Sequence, residues 1–156
     1  MEGIAAEAGA GKQTLYRSWP SVHAIIFDAL ASESATSDVA PEHVTVVDML
    51  RATIDEISTE PRASLLRALA ATIQTDEAVA KQFRERLFTP QQAQVTRLVA
   101  EGGYAHPHAA TELLLAPIFY RWFLRLPQFN DDELTEHAER ILTLWSAGEP
   151  SIGPPA

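Results

Sequence analysis

The stretch KQTLYRSW, residues 12–19, concentrates side chains that could do chemistry: Lys12, Gln13, Thr14, Tyr16 and Arg17 surround the apolar Leu15 and precede Trp19. Gln and Arg can pair bidentately with the major-groove edges of adenine and guanine, while Lys, Thr and Tyr can hold phosphate oxygens. That chemistry is recognition of a duplex rather than turnover. It requires Leu15 and Trp19, four residues apart, to face inward along one side of a helix, leaving the polar five turned out at its start. Backbone N–H groups at such a helix start also favour an anion.

Other chemistries find little support. His106 and His108 lie two apart across Pro107 and His137 is distant in sequence, whereas a metal site needs three or four converging ligands; these read as solvated histidines. Gly9 and Gly11 precede Lys12 without the strand or the glycine spacing of a P-loop, and there is no Ser-His-Asp order or nucleophile elbow. The reading therefore assigns no catalytic residue, metal or cofactor, and expects a protein that is not an enzyme.

Bulk properties narrow the setting. The 156 residues contain no cysteine, which excludes disulfides and thiolate chemistry and suits a reducing compartment, so a cytoplasmic location is expected. No basic-then-apolar leader opens the chain, and the apolar tract 113–126 is short and interrupted by Pro117, Arg121 and Arg125, so no membrane partner is expected. A formal net charge of −9 excludes a surface that is basic throughout, so any DNA contact must be local. Over residues 1–30, Lys12 and Arg17 stand against Glu2, Glu7 and Asp28. One copy would therefore bind weakly, and specific binding calls for two recognition helices about 34–36 Å apart, one DNA turn.

The elements that must position these residues read as helices throughout. Thr45 opens a segment carrying Val46, Val47, Leu50, Ile54 and Ile57, and Pro61 sits at the first turn of one carrying Leu65, Leu66, Leu69 and Ile73. Asp76 can cap a helix through Val79 and Phe83 to Leu87, and Thr89-Pro90 restarts it as far as Gly102-Gly103, with a kink or break near Pro90. Pro107 opens a segment to Leu126 that is apolar nearly all round and must be covered on several sides. The last helix carries Leu134, Ala138, Ile141, Leu142 and Trp145 on one face, with Asn130 and Glu133 able to form its capping box. No strand pattern and no fixed repeat is visible. The fold class is all-α.

Upstream, Ile4, Ala5 and Ala8 line a short helix, Gly9 supplies the left-handed residue that stops it, and Leu15 and Trp19 anchor a second: a helix-turn-helix. The run IAAEAGAGKQTLYRSWPS resembles the signature of the tetracycline-repressor (TetR) family, in which Ile-Ala-x-x-Ala-Gly leads to Thr-Leu-Tyr, an aromatic and a serine. Ile4, Ala5, Ala8, Gly9, Thr14, Leu15, Tyr16, Trp19 and Ser21 match. The resemblance is strong over roughly the first 30 residues and looser beyond, where LLAPIFYRWFL is similar to the family's carboxy-terminal domain. It implies that Lys12, Gln13, Thr14, Tyr16 and Arg17 meet DNA, with Ser21 and His23 near phosphates. The chain departs from the family in three ways. Val22 stands where a lysine is common, Gly11 where a serine often caps the recognition helix, and Met1 falls inside the family's second helix. The last departure leads to the expectation that the first helix belongs to an upstream amino terminus.

The family resemblance also implies a ligand and dimer domain. An amino-terminal helix-turn-helix at 1–36 would be followed by an effector-binding and dimerisation bundle at 37–148 and a frayed tail at 149–156. Phe83, Leu87, Tyr104, Phe119, Tyr120 and Phe123 are candidates for an apolar effector pocket, although, residue by residue, plain core and interface is the better reading of aromatics of this kind. Leu114, Ile118, Trp122, Leu134, Ile141, Leu144 and Trp145 are candidates for a homodimer face. The functional expectation is a ligand-responsive transcriptional regulator, a repressor by family habit, that binds double-stranded operator DNA as a homodimer and answers to a small apolar effector. The alternative is a helical ligand-binding or protein-interaction dimer without DNA binding.

Overall fold

The computed structural model of the chain describes residues 3, 7, 9, 13, 17–34 and 44–146. Every regular element among them is helical: α1 (Val22–Ser34), α2 (Val46–Ser58), α3 (Arg62–Thr72), α4 (Glu77–Phe83), a π-helical turn (Arg84–Phe88), α5 (Thr89–Glu101), α6 (Pro107–Phe123) and α7 (Asp131–Ser146). The chain forms two compact units, one of residues 1–40 and 60–88, the other of 41–59 and 89–156.

In the first unit α1 and α3 pack against each other, and α3 against α4. Phe27 and Leu30 of α1, Ala63, Leu66 and Leu69 of α3, and Val79 and Ala80 of α4 are buried. The 3-residue steps along α3 keep its apolar residues on one stripe. Arg62 Nη1 donates to the Leu30 carbonyl at 3.0 Å, while Thr72 Oγ1 lies 3.4 Å from His23 Nε2. The start of α3 therefore meets the end of α1 and its end meets the start of α1, so the pair is antiparallel. Asp76 caps α4 as its residue type predicts, Oδ1 accepting from the N–H groups of Ala78 and Val79 at 2.9 and 3.1 Å.

The interruption expected near Pro90 takes the form of the π-helical turn Arg84–Phe88, which directly precedes α5. Proline cannot donate to the preceding turn and its ring crowds the carbonyl four residues back, so a regular α-ladder cannot run through it.

In the second unit α2 and α6 pack on each other, and each also packs on α5 and α7. Val46, Leu50, Ile57, Val95, Val99, Ala110, Leu114, Leu115, Ile118, Leu134 and Ala138 form the core. Two fully buried hydroxyls sit among them. Thr53 Oγ1 donates to the Met49 carbonyl and accepts from Gln91 Nε2 at 2.7 Å; Thr111 Oγ1 donates to the Pro107 carbonyl and accepts from Thr96 Oγ1 at 3.1 Å. Each is satisfied, which removes the cost of burying it.

Helix ends follow the sequence. Thr45 and Asp48 form a reciprocal capping box at α2, and Asn130 and Glu133 form the one expected at α7. Gly103, at φ +77°, closes α5, with Tyr104 N–H reaching the Val99 carbonyl and Gly103 N–H that of Ala100. Helix α6 stops at Phe123, short of the expected Leu126. Arg125 adopts φ +55° and the same pair of bonds forms, Leu126 N–H to Arg121 O and Arg125 N–H to Trp122 O, so the chain reverses one turn earlier than its apolar run suggests.

Candidate nucleic-acid interface

Gly3 and Glu7 are helical, Gly9 lies in a turn at φ +59°, and Gln13, Arg17 and Ser18 are helical again. The left-handed value at Gly9 is the one a helix-stopping glycine supplies at no steric cost. Gln13 and Arg17 are both helical and exposed, and they stand four positions apart in sequence, the spacing at which residues of one α-helix share a face. Lys12, Thr14, Leu15 and Tyr16 lie outside the described residues.

Trp19 is half-buried just past the end of that helix, and its indole Nε1–H donates to Asp28 Oδ2 at 2.7 Å. The other oxygen, Oδ1, accepts from Arg86 Nη2 at 2.9 Å. The Arg86 bond, followed by that of Trp19, holds the Asp28 carboxyl below the usual carboxylate range. The Arg86 guanidinium also lies 5.5 Å from the ring centre of Phe27.

Ser21 Oγ accepts from Ala24 N–H at 3.1 Å and so caps α1, remaining exposed beside the helix's first N–H groups. His23 is half-buried with its ring against Thr72, turned onto α3 instead of standing open. The family resemblance implied a place near a phosphate; the neighbour supplied by α3 was not visible in the local sequence.

The effector candidates divide between the two units. Phe83 and Leu87 are half-buried in the first unit, and Tyr104, Phe119, Tyr120 and Phe123 belong to the second. Tyr104 lies over Gly102, where an added Cβ would come within 2.7 Å of the ring, so that glycine gives the ring its seat. Phe119 and Phe123 each meet Trp122 edge-on, at 6.5 and 5.1 Å between ring centres, and Trp122 Nε1 donates to the Ile57 carbonyl at 3.1 Å.

The dimer candidates divide by exposure. Leu114, Ile118 and Leu134 are almost wholly buried inside one protomer and Trp122 is half-buried on α2, so these side chains serve the protomer's own core. Ile141 and Trp145 are half-buried, and Leu144 is 59% exposed. Helix α6 also shows solvent a face that the dimer candidates do not include: Leu113, Ala116, Tyr120 and Phe123, spaced three and four apart, are all exposed, as is Leu124 just past its end. That periodicity is readable in the sequence. A helix apolar all round hides which stripe its own protomer covers.

Among the described residues no group of three or more histidine or acidic side chains could hold a metal ion, and no helix is long and apolar enough to cross a membrane.

The architecture is that of an all-helical regulator fold. The chain superposes on the crystal structure of the TetR family transcription regulator SCO0332 with a TM-score of 0.68 and 21% identity, covering 91% of this chain and 84% of that one. It is 26% identical over 141 residues to the uncharacterized HTH-type transcriptional regulator YdeS of Bacillus subtilis (strain 168), spanning 84% of this chain and 71% of that protein. Residues 43–141 match the model of the tetracyclin repressor-like, C-terminal domain. The chain belongs to the TetR family of transcriptional regulators.

Proposed function

We propose that this chain is a ligand-responsive repressor that binds operator DNA as a homodimer through the helical segment that carries Gln13 and Arg17. The observation that carries the reading is that Gln13 and Arg17, four positions apart, are both helical and exposed, downstream of the left-handed turn at Gly9. Those two side chains read base edges, Lys12, Thr14 and Tyr16 hold phosphate oxygens, and Ser21 with the start of α1 holds a phosphate. His23, committed to Thr72, contributes least of the set.

Residues 1–36 form the DNA-binding part, 37–148 the effector and dimer part, and 149–156 a tail. The exposed stripe of α6, with Leu144 of α7, packs against its symmetry mate and sets the two recognition helices one DNA turn apart. An apolar effector that prefers the other dimer geometry by about 1–3 kcal/mol weakens operator binding by population shift. Repression, in place of activation, follows the habit of the family.

The test is a gel-shift series on the DNA flanking the protein's own gene. Gln13→Ala and Arg17→Ala are each expected to weaken binding by about tenfold or more, the discrimination of about 1–3 kcal/mol carried by one bidentate contact, with dimer and melting behaviour unchanged. Undiminished affinity in both variants would favour a helical ligand-binding dimer that does not read DNA.

A further inference from the structure

Asp28 has two carboxylate oxygens, and they are spent on two different segments: Oδ2 on the Trp19 indole N–H at 2.7 Å and Oδ1 on the Arg86 guanidinium at 2.9 Å. Trp19 follows the helical residues Arg17 and Ser18 directly, and Pro20 fixes the next backbone torsion, so little freedom separates the indole from the exposed face that carries Arg17 and Gln13. Arg86 sits in the π-helical turn Arg84–Phe88, with its guanidinium held near Phe27, which is fully buried. That turn also carries Leu87. An indole N–H only donates and a guanidinium only donates, so a bridge between them must accept twice, and a carboxylate does so with one oxygen for each.

We propose that Asp28 is a positioning residue for DNA recognition: its carboxylate clamps Trp19, at the end of the recognition helix, to Arg86 in the π-helical turn, so that the setting of Gln13 and Arg17 follows the position of that turn. The proposal rests on the reading of Gln13 and Arg17 as DNA contacts and adds what orients them. Displacement of residues 84–88 is thereby transmitted to the reading face through a carboxylate bridge on α1.

The experiment compares Asp28→Asn, Trp19→Phe and Arg86→Gln in the full chain. Trp19→Phe retains an aromatic ring and removes the donor together with one ring of the indole, and Arg86→Gln, which leaves Trp19 intact, separates loss of the clamp from loss of that ring area. Amide hydrogen exchange is read over a peptide covering residues 13–18, and affinity is read on a duplex enriched by the wild-type chain from a random library. Each variant is expected to speed exchange at 13–18 and to weaken the duplex about three- to tenfold, the range of a residue that couples two sites, while exchange in α2, α5, α6 and α7 is unchanged. The double variant Trp19→Phe/Asp28→Asn is expected to be no worse than either single, because both remove one link. Wild-type exchange at 13–18 in Trp19→Phe and Arg86→Gln, or losses that multiply in the double variant, would overturn the clamp while leaving the DNA reading intact. Enrichment of no duplex by the wild-type chain, with exchange at 13–18 still raised in the variants, would overturn the DNA reading and the proposal with it.

Discussion

Tyr120→Ala tests the proposed association face directly, because Tyr120 is 61% exposed on α6 while Ile118, two residues away, is fully buried. A tyrosine taken wholly out of water buries about 150–250 Å², so with 61% still open about 90–150 Å² remains for a partner to cover. At about 25 cal/mol per Å² that is about 2–4 kcal/mol from each copy, and a symmetric pair counts it twice. Imperfect covering and the ordering of side chains take back part of this, so the dimer dissociation constant is expected to rise at least about 100-fold, or about 2.7 kcal/mol. Sedimentation equilibrium across a concentration series measures it, and urea unfolding of the dissociated protomer should show a change within about 0.5 kcal/mol. Ile118→Ala is the internal contrast: the cavity it leaves should cost about 2–5 kcal/mol of protomer stability. An unchanged dissociation constant for Tyr120→Ala, or a wild-type chain that stays monomeric at tens of micromolar, would refute the assignment of this face.

Two further outcomes are expected. Gly9→Ala should cost about 1–2 kcal/mol through backbone strain alone, since φ is +59° and no atom lies within 4 Å of the added Cβ; Gly9→Asn should cost less, and equal melting temperatures for all three proteins would contradict the left-handed turn. Asp28, Asp48 and Glu60 are held below the usual carboxylate range, chiefly by hydrogen bonds from Arg86, Thr45 and Ser64 respectively. A lowered folded-state value contributes stability above the unfolded one, near about pH 4. Melting temperature should therefore hold from neutral pH to about 5 and fall below about pH 4, and a melt that improves on acidification would reverse the sign.

The local grammar of helix ends was legible because it is written in neighbouring residues. Thr45, Asp76, Pro107, Gly103 and the pair Asn130 and Glu133 all act within a few positions of themselves, and each does what its type implies. Gly9 is the same case. What escaped the sequence joins distant positions: Asp28 to Arg86, His23 to Thr72, Gln91 to Thr53. Leu114, Ile118 and Leu134 illustrate the limit for apolar residues. Periodicity marks a face that leaves water, but only the packing shows that the cover comes from the same chain while Leu113, Tyr120 and Leu124 stay open. The end of α6 shows another limit, since an arginine in the left-handed region gives no signal comparable to a glycine.

The bonds at the two ends of the antiparallel pair α1 and α3 have a mechanical consequence. Arg62 holds the Leu30 carbonyl at one end and Thr72 meets His23 at the other, some seven residues of helix apart. Sliding α1 lengthwise would stretch both fastenings together, and tipping it would break one of them. Rolling α1 about its long axis leaves the Leu30 carbonyl, a backbone atom close to that axis, nearly in place and displaces the His23 ring, a projecting side chain, further. Asp28 lies between the two anchors, so a roll of a few degrees swings its carboxylate through an arc and carries the Trp19 indole along.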